Sequence, residues 1–151
     1  MVIDAGCELC GRDGGEVLHR DRQLRVVLVD DAQYPGFCRV IWNAHVGEMS
    51  DLPAQDRNAL MEAVWLVESA VRDAMQPRKV NLASLGNAVP HLHWHVIPRY
   101  GDDAHFPAPV WAPPQRELDA AQLAARRALL PALRAAILQC FAQGAVAGCA
   151  K

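Results

Sequence analysis

The segment from His91 to Ile97 alternates three histidines with apolar residues, in the order His-Leu-His-Trp-His-Val-Ile. Successive side chains of a β-strand point to opposite faces, so His91, His93 and His95 would share one face of such a strand. The apolar residues between them would share the other face and could pack beneath a helix. The segment therefore predicts a strand with one apolar face and one face available for chemistry or for a metal ion.

Two uses of the histidine face follow from the residue types. Imidazole is a common metal ligand, so a three-histidine zinc centre is one of them. Imidazole is also a nucleophile, because an ordinary pKa of about 6.5 leaves its neutral form abundant at neutral pH. Histidines two apart on a strand favour shared coordination only for adjacent members of the set. The spacing therefore favours a division of the three histidines over neighbouring tasks.

The rest of the chain predicts strands around one long helix. Strands are predicted at 24–29, 37–42 and 79–83, with a short extra strand at 16–19. Pro35-Gly36 is predicted to form the turn between the strands at 24–29 and 37–42. From Pro53 to Met75 apolar residues recur at helical spacing, which predicts an amphipathic helix. Its apolar stripe consists of Leu60, Val64, Val67, Val71 and Met75. Hairpin, helix and hairpin in this order indicate an α+β fold.

The length of 151 residues and the hydrophobic content of 52% suit one compact core. We expect a single domain over residues 1–151, with a core at about 7–100. A proline-rich loop is predicted at 101–118 and a C-terminal helix at 119–143, which Pro131 kinks or divides. Arg126 and Arg127 are interpreted as a solvated face of that helix.

The charge and hydropathy of the chain exclude several partners. A net charge of −2 gives no overall attraction to nucleic acid or to an anionic membrane. No apolar run reaches the roughly 20 residues that span a bilayer, and the first four residues lack the pattern of a signal peptide. The sequence therefore predicts a cytoplasmic protein without nucleic-acid or membrane partners.

The histidine alternation, followed by Pro98-Arg99, resembles the motif of the histidine triad (HIT) superfamily. The resemblance extends from Cys7 to about Tyr100. It implies a HIT-like fold with a five-stranded antiparallel sheet and a central amphipathic helix, here followed by a C-terminal helical extension. It also implies a homodimer in which two sheets join and the central helices, with Trp65, lie at the interface.

For the site, the resemblance implies that His93 attacks an α-phosphorus and forms a nucleotidyl-histidine, which water or another acceptor then resolves. A hydrogen bond from one ring nitrogen of His93 to a backbone carbonyl would leave the other lone pair free. His95 would contact the same phosphate or the leaving group as a supporting acid. No catalytic metal is required by this chemistry.

The resemblance also places nucleotide contacts outside the histidine motif. Backbone amides around Gly86 and the side chain of Asn87 would donate to the phosphate. Asp30 would hold the ribose hydroxyls, with Asp31 as a competitor, and Asn81 would supply a further polar contact. Many relatives carry glutamine in place of Asn87 and a serine or threonine at the next position, where this chain has alanine. These departures affect substrate preference more than the class of reaction.

The pair Cys7-Glu8-Leu9-Cys10 has a spacing that lets both thiolates reach one zinc ion, but the pair alone lacks two ligands. In some bacterial triad proteins that resemble this chain, such a pair binds a structural zinc together with two histidines. The corresponding positions here are His45 and His91, which would complete a closed tetrahedral site. The alternative is two reduced thiols in a turn, with His45 capping a loop.

These features predict an enzyme that acts on dinucleoside polyphosphates such as diadenosine tetraphosphate. A nucleoside phosphoramidase, which would use the same nucleophile and an amine leaving group, is the first alternative. A non-catalytic, zinc-stabilised nucleotide-binding module is the second.

Overall fold

The computed structural model describes residues 2–143 and contains five strands and four α-helices in that part of the chain. The strands are β1 (Glu16–Arg20), β2 (Leu24–Leu28), β3 (Cys38–Trp42), β4 (Lys79–Ala83) and β5 (His93–Arg99). The helices are α1 (Glu8–Gly11), α2 (Ala54–Met75), α3 (Ala120–Ala128) and α4 (Leu130–Ala142). Residues 1 and 144–151, which belong to the predicted domain range, lie outside the described residues.

The five strands form one antiparallel sheet in the order β1-β2-β3-β5-β4. Helix α2 packs across one face of the sheet, and α4 packs against α2 and β1. The opposite face of the central strands carries His93 and His95. The predicted α+β fold, with a five-stranded antiparallel sheet, a central helix and a C-terminal helical extension, is confirmed.

The apolar stripe predicted for α2 is the side that faces the core. Every residue of that stripe is buried, from Leu60 to Met75. The stripe packs on alternate residues of the sheet, such as Val26 and Val40, which are fully buried. Full burial of each such side chain contributes roughly 1.5–3 kcal/mol, so this interface fixes the sheet that supports the histidines.

The predicted strand boundaries at the histidine motif were wrong at both ends. The strand begins at His93 rather than at His91 and continues through Pro98 to Arg99. Before the strand, the Leu92 amide donates to the Val46 carbonyl, which draws this segment away from the regular ladder. Pro98 is tolerated because the pairing with β3 ends at Val96, so only β4 lies beside it. His91 therefore lies outside the strand that carries the other two histidines.

The predicted C-terminal helix is divided in two, because α3 ends at Ala128 and Pro131 lies in the first turn of α4. The interpretation of Arg126 as part of a solvated face was wrong. Its side chain is buried, pairs with Asp102 at 2.6 Å and lies 3.8 Å from the ring centroid of Tyr100. Within residues 2–143, no helix is long and apolar enough to cross a membrane.

Candidate active site and metal cluster

His93 is held in one tautomer by the backbone beside it. Its Nδ1 lies 2.5 Å from the carbonyl oxygen of His91, so Nδ1 carries the hydrogen and donates to that oxygen. The lone pair of Nε2 is then free, which is the arrangement that nucleophilic attack requires. Burial, together with the charge of Arg39, lowers the pKa of His93 and favours the neutral imidazole.

His95 lies on the same face of β5, and its ring centroid is 4.7 Å from that of His93. Burial, His93 and Arg39 together lower the pKa of His95 to about 4. The side chain is therefore neutral at pH 7 in the free protein. Its Nδ1 is buried without a hydrogen-bond partner among the described residues. A hydrogen on Nε2 avoids an unpaired buried donor and gives His95 a donor for a bound phosphate.

A cavity of about 310 Å³ lies against these two histidines. Its lining includes Gly86 and Asn87 from the β4–β5 loop, as well as Arg39 from β3. Gly86 has φ +74°, a left-handed conformation that favours glycine, so the loop can turn its backbone here. The structure thus brings four of the predicted site residues, His93, His95, Gly86 and Asn87, to one cavity.

Asp30 and Asn81 lie outside the lining of that cavity. Asp30 is exposed and has no hydrogen-bond partner within residues 2–143, whereas its competitor Asp31 accepts from the amides of Gln33 and Tyr34. Oδ1 of Asp31 is therefore engaged by the loop backbone, whereas the Asp30 carboxylate is available to a ligand. Asn81 accepts a hydrogen bond from Arg99 at 2.6 Å.

The predicted metal ligands form a compact cluster next to the histidine cavity. Nδ1 of His91 lies 3.5 Å from the sulfur of Cys7 and 3.6 Å from that of Cys10. Nδ1 of His45 lies 3.5 Å from the sulfur of Cys10. The four ligand atoms all lie within 4.8 Å of one another. His91 donates from Nε2 to the carbonyl of Trp42 at 2.6 Å, which turns Nδ1 toward the thiols.

These distances fit a tetrahedral zinc ion. Zinc bonds of about 2.3 Å to sulfur and about 2.0–2.1 Å to nitrogen give a sulfur-to-nitrogen edge of about 3.5 Å. Two thiolates and two imidazoles are a common donor set for structural zinc. All four positions are occupied by protein, so a metal held here has no open position for water.

Arg25, which the sequence analysis did not single out, supports the loop that carries the cysteines. Its buried guanidinium donates to the carbonyl oxygens of Leu9 at 2.7 Å and Asp13 at 3.0 Å. It therefore ties α1 and the following turn to β2. An arginine inside a strand that is otherwise apolar is the only sign of this role in the sequence.

The sequence also gives no indication of a buried ion pair at the end of β5. Asp103 accepts hydrogen bonds from Arg99 at 2.7 and 3.0 Å and from the amides of His105 and Phe106. Burial alone would raise the pKa of Asp103, but these donors lower it to about 2. Because Arg99 also donates to Asn81, the network joins the loop after β5 to the edge strand β4.

The chain is similar to known proteins in both sequence and structure. The family model described as the HIT domain matches residues 13–102. A histidine triad protein from Bradyrhizobium japonicum is 29% identical, with a TM-score of 0.67, over 83% of this chain and 92% of that chain. One from Marinobacter aquaeolei is 26% identical, with a TM-score of 0.65, over 89% and 98% of the two chains.

A zinc-bound histidine triad family protein from Mycobacterium smegmatis shares the fold at 23% identity, with a TM-score of 0.63, over 91% of this chain and 97% of that chain. Among curated proteins, an AP-4-A phosphorylase from Mycobacterium tuberculosis is 29% identical over 98 residues. That match covers 61% of this chain and 50% of the relative. The chain thus spans about half the length of the curated relatives that it matches.

Proposed function

The chain belongs to the HIT domain family, and we propose that it hydrolyses or transfers nucleotides through a nucleotidyl-histidine on His93. The observation that carries the proposal is the hydrogen bond from Nδ1 of His93 to the carbonyl oxygen of His91. It leaves the Nε2 lone pair free on a residue that lines a cavity with a second histidine. The family membership makes a nucleotide the substrate to test first.

In the first step, the Nε2 lone pair of His93 forms a bond to the α-phosphorus. The bond from that phosphorus to the leaving group breaks, and its electron pair stays on the leaving atom. Amides around Gly86 and the Asn87 side chain donate to the phosphate oxygens. His95 donates from Nε2 to the phosphate or to the departing group, where it offsets the developing negative charge.

In the second step, water or another acceptor attacks the same phosphorus. The new phosphorus-to-oxygen bond forms as the phosphorus-to-nitrogen bond breaks, and the electron pair returns to Nε2 of His93. With water, the products are a nucleoside monophosphate and one released proton. His93 is restored to its neutral form, ready for another cycle.

We propose dinucleoside polyphosphates, such as diadenosine tetraphosphate, as the substrates. The AP-4-A phosphorylase relative supports this class. Asp30, which is exposed and available, would accept from the ribose hydroxyls, and Asn81 would supply a further polar contact. A phosphoramidase would use the same nucleophile, and the absence of a hydroxyl at Ala88 leaves the far side of the phosphorus without one possible leaving-group contact.

Replacement of His93 by alanine tests the mechanism. The H93A variant should lose turnover of diadenosine tetraphosphate by at least about 1,000-fold while it still binds the nucleotide, because only the nucleophile is removed. Acid-free quenching and intact mass spectrometry should detect a nucleotidyl adduct on the unmodified protein and none on H93A. The matched control is H19A, since His19 lies on β1 and packs against Phe141.

Full turnover by H93A would contradict the mechanism. Tight nucleotide binding by the unmodified protein, without product and without an adduct, would support a non-catalytic nucleotide-binding module instead. A higher kcat/KM for adenosine phosphoramidate than for diadenosine tetraphosphate would assign the phosphoramidase activity.

We propose further that Cys7, Cys10, His45 and His91 hold a structural zinc ion. The sulfur-to-nitrogen distances of 3.5–3.6 Å and the orientation of His91 support this assignment. Such an ion would join the N-terminal segment to the loop after β3 and to the segment before β5. The mechanism above takes no step through it.

We also propose that two copies of the chain form a homodimer through α2 and the edge strand β4. Trp65 on α2 is 56% exposed, and Leu82 on β4 is also exposed. Large apolar side chains that stay exposed on adjacent elements indicate a surface that a partner covers. One side of β4 has no neighbouring strand within the described sheet.

A further inference from the structure

Arg39 is the residue on β3 that lies directly opposite His95 in the β3–β5 pairing. Side chains at opposed positions of antiparallel strands share one face and lie close together. Arg39 therefore projects from the same face as the two histidines, and it lines the same cavity. Its guanidinium carbon lies 5.4 Å from the ring centroid of Phe37.

The guanidinium of Arg39 is poorly satisfied for a group that is half-buried. Its one hydrogen bond to residues of the described part of the chain runs from Nη1 to the carbonyl of Gly14, at a long distance of 3.4 Å. Its Nε is buried without a partner among residues 2–143, and no carboxylate of those residues pairs with it. A partly desolvated cation without a counter-ion is costly in the free protein and favours an anionic ligand.

The acidic groups around Arg39 do not neutralise its charge by direct pairing. Glu8 lines the same cavity and Asp31 lies in the β2–β3 loop, and both act on Arg39 only through longer-range attraction. Conversely, the positive charge of Arg39 reaches both histidines, where it disfavours their protonated forms. Arg39 is the only lysine or arginine among the residues that line the cavity, so it is the permanent cation nearest to the two histidines there.

We propose that Arg39 binds a phosphate of the substrate beyond the one that His93 attacks, so that the site selects polyphosphate leaving groups over amines. The inference rests on the proposed function and sharpens its substrate class. When the bond to the α-phosphorus breaks, the electron pair goes to the bridging oxygen of the leaving polyphosphate. The guanidinium stabilises that negative charge, whereas an amine leaving group brings no phosphate for Arg39 to bind.

The test compares substrates that share one nucleotidyl group and differ in the leaving group. Diadenosine tetraphosphate and adenosine phosphoramidate serve for this comparison, with diguanosine tetraphosphate as a probe of the base. The R39M variant removes the charge at similar length, and R39K keeps a charge without the planar fork. The control is R22M, which removes an exposed arginine in the β1–β2 turn.

We expect R39M to lower kcat/KM for diadenosine tetraphosphate by about 10- to 100-fold, the range for a lost charge-assisted hydrogen bond. Turnover of adenosine phosphoramidate should change by less than about threefold, and R39K should restore part of the loss. R22M should leave both rates unchanged. Equal losses of R39M on both substrates, or no loss on either, would overturn the inference, as would a changed ratio between adenine and guanine substrates.

Binding of inorganic tripolyphosphate separates this inference from the proposed function. We expect the unmodified protein to bind it about 10-fold more tightly than R39M does, as measured by calorimetry. If the unmodified protein turns over neither substrate but shows this difference, the proposed reaction fails and the Arg39 site stands. If both substrates are turned over and R39M binds tripolyphosphate as well as the unmodified protein, the Arg39 site fails and the reaction stands. Unfolding curves of R39M and R39K establish that each variant is folded.

Discussion

At the scale of single residues, the members of the candidate site could be predicted when their pattern is local. The alternation of His93 and His95 and the spacing of Cys7 and Cys10 are visible in the sequence because strand and turn geometry relate neighbours directly. Arg39 could not be predicted in this way. Its proposed role depends on the register that sets it opposite His95, and that register cannot be read from the sequence.

The buried pair of Arg99 and Asp103 belongs to the same class of missed residues. Asp103 lies in the segment 101–118, where the sequence predicts a proline-rich loop, and polar residues in a loop are usually exposed. Arg99 is the last residue of the strand before that loop. Here the Asp103 carboxylate is 1% exposed and accepts from Arg99 and from backbone amides. The loop therefore folds around a buried carboxylate and its donors. A pattern of apolar residues in the sequence does not predict a buried ion pair of this kind.

Replacement of Asp103 by asparagine should show the contribution of this pair to stability. D103N leaves a buried guanidinium without its counter-ion, so we expect the free energy of unfolding at pH 7 to fall by about 3 kcal/mol. Urea unfolding followed by far-ultraviolet circular dichroism measures the change. The control is E16Q, which breaks the exposed pair between Glu16 and Arg134 and should cost less than about 1 kcal/mol.

The loss of stability in D103N should depend on pH in a defined direction. The pKa of Asp103 is lowered from 3.8 to about 2 on folding, so its ionisation stabilises the folded state above the unfolded pKa. This stabilisation is lost as the pH falls from about 5 toward 2. The difference between the unmodified protein and D103N should therefore shrink over that range. A constant difference down to pH 2.5 would contradict the assignment of the charge to Asp103.

At the scale of secondary-structure elements, the predictions succeeded where one periodicity runs uninterrupted. Helix α2 was predicted almost to its ends because Pro53 precedes it and Pro77 follows it soon after. The ends of β5 were wrong because its partners differ along its length. β3 pairs with the residues from His93 to Val96 and β4 with those from His95 to Arg99, and sequence alone does not show where either pairing ends.

The one-turn helix α1 has the least support from its own sequence, since four residues cannot form a stable isolated helix. The proposed zinc ion would supply the stabilisation that α1 does not obtain from its own residues. H45Q should therefore reduce bound zinc from about one ion per chain to a small fraction, as measured by plasma mass spectrometry. Its Tm should fall by at least about 5 °C, because an ion that binds only the folded state stabilises it.

Hydrogen exchange adds a local readout to the zinc prediction. Amides of residues 7–12 should exchange faster in H45Q, while those of α2 keep most of their protection. H19Q, which replaces another partly buried histidine outside the cluster, should retain zinc and the protection of that segment. Full zinc occupancy in H45Q, or zinc-free unmodified protein that takes up no added zinc, would contradict the assignment.

At the scale of the whole molecule, the fold class followed from the order of the elements, but the surface that we propose for the dimer did not. The core-facing stripe of α2 buries apolar residues of this helix against the sheet. Trp65 is a large apolar residue of the same helix that stays exposed. The prediction that Trp65 lies at a dimer interface came from the family resemblance and not from the helical periodicity, because Val64 and Leu66 beside it are also apolar. The position of β4 at the sheet edge, next to α2, comes only from the structure.

If α2 and β4 form the dimer interface, a charge at Trp65 should separate the two copies. We expect multi-angle light scattering to give twice the 16.5 kDa chain mass for the unmodified protein and close to the single-chain mass for W65E, because a buried carboxylate without a partner is unfavourable. The control is L138E, since Leu138 is 54% exposed on α4 and lies away from the β4 edge. L138E should remain a dimer. The interface would be contradicted if the unmodified protein stayed at the single-chain mass at high concentration. A W65E variant that remained a dimer would contradict it as well.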